Sequence, residues 1–138
     1  MSRVYNPDSA GKERNQLTRS IVLALRELMK QQGTDDLTRD LAAYVAIALD
    51  EVNGTIEASV SAWEKRGYWV KADKFRLEWE WTNGYSRTLS EALKKEDWAT
   101  VALTSAKVAQ KLNKITVPER NRLGTPWVGS WKKLMEAN

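Results

Sequence analysis

"KFRLEWEWTNGYSRTL", residues 74–89, decides the fold. Phe75, Leu77, Trp79 and Trp81 alternate as in a strand, and Asn83-Gly84 is a favoured type I′ turn, so the stretch first reads as a β-hairpin. A two-residue loop would set Trp81 against Ser86 and Trp79 against Thr88, leaving Tyr85 and Leu89 on the charged side with Glu78 and Glu80. That register pairs the wrong faces. Read as a helix, Tyr68, Ala72, Phe75, Trp79, Thr82, Ser86, Leu89 and Leu93 recur at spacings of four and three without interruption. The pattern predicts one helix over about residues 69–94, continuous through Asn83-Gly84, with Trp79 largely buried in the main core. Val70, Leu77, Trp81 and Ala92 form a second apolar face that something outside the core is expected to cover.

The flanking sequence is helical as well. Asn6-Pro7 suits a helix start, and Leu17, Ile21, Leu25 and Leu28 share a face up to Gly33, predicting a helix over roughly 8–32. Thr34 is the expected cap of the next helix, with Asp35 and Asp36 in its first turn. Its stripe runs Leu41, Val45, Ala48, Val52, Ile56, Ser59, Trp63 and ends at Lys65-Arg66-Gly67. Ala43, Ala46 and Ile47 lie off that stripe, so this helix is apolar all round near its start and is buried on more than one side. Asp97 caps a further helix whose stripe extends from Trp98 to Ile115, before Val117-Pro118. Thr125-Pro126 then opens a short helix with Trp127, Trp131, Leu134 and Met135 on one side. The expected fold is all-α: an up-and-down four-helix bundle over residues 1–117, followed by a C-terminal arm over 118–138 that contains a short helix.

With 138 residues the chain is long enough to bury one core. It has no cysteine, which excludes disulfides, thiolate metal sites and cysteine nucleophiles, and fits a cytoplasmic location. It also has no histidine, which removes the commonest general base, Ser-His-Asp catalysis and di-iron sites built on Glu-x-x-His. The longest uncharged apolar run, residues 41–49, is far too short to span a bilayer. Residues 1–16 lack the apolar stretch of a secretory signal and read as mature sequence.

The net charge of +4 lies in the tail: residues 1–110 hold 16 basic and 16 acidic residues, while residues 111–138 hold six and two. Residues 34–66 carry seven acids against three bases, so docking of the arm on this segment is as natural as binding an anionic partner. Arg120, Arg122, Trp127, Trp131, Lys132 and Lys133 form the mix of cations and aromatics found at binding hot spots, and with Ile47, Leu77 and Trp81 they are the candidate partner-binding residues. In "WEKRGYWVKADKFR", residues 63–76, aromatics alternate with cations. Lys65, Arg66, Trp69, Lys71 and Lys74 are candidates for stacking on bases and neutralising phosphates, although Trp63, Tyr68 and Phe75 belong to the core stripe. Asn53-Gly54 and Asn83-Gly84 fall at nearly one level if the two helices fold back at Gly67, which suggests a polar layer or a small ligand site.

A carboxylate-only Mg²⁺ site of the kind used by helical nucleotide hydrolases needs paired inward acids. Asp50 and Glu57 point away from the core stripe, while Glu78 and Glu80 flank opposite sides of their helix. The acids read instead as solvated, with ion pairing to Arg76 and Arg87, and Asp35, Asp36 and Asp40 read as helix-start residues. The sequence therefore points to a non-catalytic interaction or scaffold protein, without metal or cofactor, that forms a homodimer. The second expectation is an RNA- or DNA-binding accessory protein using the tail and the tip around Gly67. A metal-dependent nucleotide hydrolase is the third.

Overall fold

The structure, a computed structural model, describes residues 6–137. It is all-helical, with no strand among the described residues. The elements are α1 Ala10–Leu28, α2 Asp36–Lys65, α3 Trp69–Trp79, α4 Trp81–Lys94, α5 Trp98–Lys111 and α6 Ser130–Glu136. Among the described residues no helix is long and apolar enough to cross a membrane.

Helix α2 is the element around which the others pack. Its 30 residues extend about 45 Å at 1.5 Å per residue. Alanines at 42, 43, 46 and 48 are fully buried, and their small side chains let neighbours approach from several directions. Helices α1, α3, α4 and α6 all pack on α2, whereas α5 packs chiefly on α4. Ile21, Leu41, Leu49, Ile56, Leu89 and Leu93 are the large side chains at the centre. The Ser86 hydroxyl donates to the Ala46 carbonyl at 2.7 Å, tying α4 to α2.

Helix ends differ from expectation in instructive ways. The first helix is shorter than 8–32: Ser9 is its N-cap without a side-chain cap bond, and the helix stops at Leu28, ahead of Gly33. The cap of α2 is Asp35 in place of Thr34. Asp35 has extended backbone, and its carboxylate accepts from the Thr38 N–H at 2.9 Å and the Thr38 hydroxyl at 2.8 Å. Asp97 caps α5 as expected, accepting from the Thr100 N–H and hydroxyl. These bonds hold both aspartates below the usual carboxylate range.

The helix expected over 69–94 runs through Asn83-Gly84 but is interrupted earlier, at Glu80. Glu80 keeps helical dihedrals (φ −62°, ψ −22°), so the chain continues onward while its hydrogen-bond ladder lapses. The Thr82 hydroxyl donates to the Trp79 carbonyl at 2.8 Å, taking up an acceptor at the break. Side chains two apart on a regular helix point to nearly opposite sides. Here the Trp79 and Trp81 rings stack at 6.0 Å and 24°, an arrangement that follows from the irregularity. Trp79 itself is mostly covered and packs against the core cluster, as its place in the stripe predicts, without being fully enclosed.

Candidate docking surface

Two regions carry the sequence-predicted binding residues, and the structure treats them oppositely. The arm is docked in cis on α2. Asp40, expected to serve only the start of α2, accepts from the Gly129 N–H at 3.2 Å and the Trp131 N–H at 2.9 Å, placing a carboxylate at the start of α6. Gly129 has φ +83°, a conformation that suits glycine. Trp131 stacks on Trp98 at 6.4 Å, and Arg39 lies over its ring at 5.0 Å while pairing with Glu96 at 2.6 Å. The Arg26 guanidinium donates to the Val117 carbonyl at 2.6 Å, pinning the start of the arm to α1. Trp127 and Leu134 lie within the same buried cluster as α2.

This arrangement corrects the expected surface. Trp127 is buried and Trp131 half-buried, so neither is free to act as an exposed hot spot. Arg120, Arg122, Lys132 and Lys133 remain exposed. On the off-stripe side of α2, Ala43 is buried, and Ile47 lines a cleft of about 330 Å³ with Leu17, Tyr44 and Val128 beneath the arm. Burial raises the Tyr44 phenol above its ordinary value, partly offset by its hydrogen bond to Ser20.

The corner between α2 and α3 is open. It is built by a Schellman closure: Gly67 N–H donates to the Glu64 carbonyl at 3.0 Å and Tyr68 N–H to the Trp63 carbonyl at 2.9 Å, with Gly67 at φ +81°. Every residue from Lys65 to Lys71 is exposed. Tyr68, assigned to the core stripe by its spacing, is 54% exposed because the closure turns it outward. Trp69 is 60%, Val70 70% and Leu77 66% exposed. Among the described residues nothing covers Val70 and Leu77, while Trp81 is partly buried against Trp79 and Tyr85.

Beneath the corner an aromatic row anchors α3, of which only Ala72 is fully buried. Trp63 meets Phe75 edge-on at 4.9 Å, and Phe75 continues to Trp79 at 6.4 Å. Arg14 covers Phe75 at 4.8 Å and Lys71 covers Trp63 at 4.6 Å. Arg14 is buried, with one guanidinium nitrogen donating to the Ser59 hydroxyl at 3.2 Å. Burial lowers its pKa from the ordinary value, and the charge of Glu78 opposes that shift.

Arg76 forms ion pairs as expected, and its partners are Glu64 and Asp73, at 3.1 Å each. The hydrogen bond that Arg76 donates to the Glu64 carboxylate is the main cause of its raised pKa. Among the described residues, Lys65, Arg66 and Lys74 make no ion pair. Asn53 is half-buried and Asn83 exposed, and no hydrogen bond joins them. Asp50 and Glu57 are exposed, and among the described residues no three acids converge as a metal site would require.

Comparison with known proteins gives no match: no family model, no curated protein and no solved structure is significantly similar to this chain.

Proposed function

We propose that the protein is a non-catalytic docking or scaffold protein, a four-helix up-and-down bundle whose binding surface is the α2–α3 corner. The observation that carries this reading is the exposure of Tyr68, Trp69, Val70 and Leu77 on one corner, beside cations without ion-pair partners. Tyr68, Trp69 and Val70 line one open hollow, with Leu77 two turns further along α3, and exposed apolar side chains gathered in this way mark interaction sites. The arm acts in this reading as a clasp, since its tryptophans are engaged on α2 and α5. Self-association remains part of the proposal, with Val70 and Leu77 as the apolar surface a second copy would use. A second copy and a different partner are then mutually exclusive occupants of α3.

Lysine-reactive footprinting tests the surface without presupposing its occupant. In crude extract, membranes included, Lys65, Lys71 and Lys74 should label less than in the purified protein, while the exposed Lys107 and Lys111 of α5 label equally in both. Equal labelling of all five, with a purified protein that light scattering shows to be monomeric, would overturn the reading. The nucleic-acid alternative is favoured by the exposed Tyr68 and Trp69 next to Lys65, Arg66 and Lys71, a composition suited to stacking and phosphate contact. It requires retention on a nucleic-acid matrix that falls steeply with salt.

A further inference from the structure

From the chemistry of the corner, and resting on the reading of it as the docking surface, we infer that its occupant is the surface of an anionic phospholipid bilayer. The run Lys65-Arg66-Gly67-Tyr68-Trp69-Val70-Lys71 is exposed throughout and contains no acid. Lys74 adds a cation on the next turn of α3. Arg76 holds both Glu64 and Asp73, and Glu78 lies beside Lys71 and Lys74, so the five cations of the corner outnumber its three acids and leave it positive. An occupant must therefore offer negative groups to the cations and an apolar phase to Tyr68, Trp69 and Val70.

The interface of an anionic bilayer supplies both at one level. Trp and Tyr rings favour the headgroup zone, and lysine stems lie along apolar surface while their ammonium groups reach phosphate. Val70 and Leu77 discriminate against nucleic acid. They lie two turns apart on the side of α3 opposite buried Ala72, and such aliphatic groups find no apolar phase along a phosphate backbone. Acyl chains do receive them. The rigid Schellman closure at Gly67 pre-forms the apex, so little ordering accompanies insertion. This is attachment to a surface by a corner, with no helix crossing the bilayer.

Co-sedimentation of the full-length protein with vesicles tests the inference. Vesicles of phosphatidylcholine containing roughly a third phosphatidylserine should carry the protein down, with affinity about tenfold or more above phosphatidylcholine alone and falling as salt rises. Trp69→Ser should weaken the association about tenfold by removing the largest apolar group at the apex. Lys65→Glu/Arg66→Glu should abolish it. All three positions are exposed, and unchanged circular dichroism and thermal midpoint would confirm that these variants fold. The inference is overturned if the serine-lipid vesicles leave the protein in solution at low salt, or if both variants bind like wild type. Retention on a single-stranded oligonucleotide without vesicle binding also overturns it, in favour of nucleic acid. Lysine protection in extract without vesicle binding would retain the docking surface while removing the lipid.

Discussion

At Gly67 the backbone sits at φ +81°, and a Cβ added there would meet nothing within 4 Å. The cost of a side chain is therefore conformational alone: Gly67→Ala should destabilise the fold by about 1 kcal/mol. Gly84 lies inside α4 with equally open space and no positive φ, so Gly84→Ala should stabilise by about 0.5–1 kcal/mol. Chemical denaturation of the two variants checks the opposite signs. If Gly84→Ala were destabilising, Asn83-Gly84 would not be helical. The helical reading of that pair was accessible because a hairpin would have put Tyr85 and Leu89 on the wrong face. Other local features were not. Glu96 adopts φ +53° in a Schellman closure after α4, and nothing in a glutamate announces left-handed backbone. Thr34 and Asp35 were adjacent cap residues, and the carboxylate, able to accept both Thr38 donors, took the position.

Periodicity located the elements, but it could not locate the irregularity at Glu80. That residue keeps helical dihedrals, so the spacing of apolar residues passes through the break almost unchanged. Val70 and Leu77 remain uncovered because they lie on the side of α3 opposite buried Ala72, where no described element packs. The arm was legible as an adhesive, basic segment, and the acidic stretch 34–66 was legible as its complement. Which acid would receive it was hidden, because Asp40 sits one turn into α2, where a carboxylate ordinarily serves its own helix. Asp40→Ala should loosen α6 specifically, costing about 1–2 kcal/mol. Amide exchange should rise at Gly129 and Trp131 while α4 stays protected. Uniform acceleration across the molecule would mean that the arm and core open as one unit.

On the scale of the whole molecule, stability should fall in acid partly through two helix starts. The folded-state pKa values of Asp35 and Asp97 lie below the ordinary 3.8 because Thr38 and Thr100 bond their ionised forms. Their stabilisation is present above about 3.8 and is lost as pH falls through the depressed folded values, where the unfolded chain binds the protons more readily. An Asp35→Asn/Asp97→Asn variant keeps the caps but cannot titrate there, so its thermal midpoint should fall less between pH 5 and pH 3 than that of wild type. The arm supplies the larger dependence. Trp127 and Leu134 are buried, and the arm closes over the side of α2 bearing Tyr44 and Ile47, so removing residues 118–138 takes away core as well as cover. The shortened protein should lose stability and aggregate as this face becomes exposed. If it aggregates, adding back a peptide of residues 118–138 should restore solubility, because Asp40, Arg39 and Trp98 remain in place to receive it. A shortened protein as soluble and heat-stable as the full chain would mean that α2 does not need the arm, and the cis clasp would be wrong.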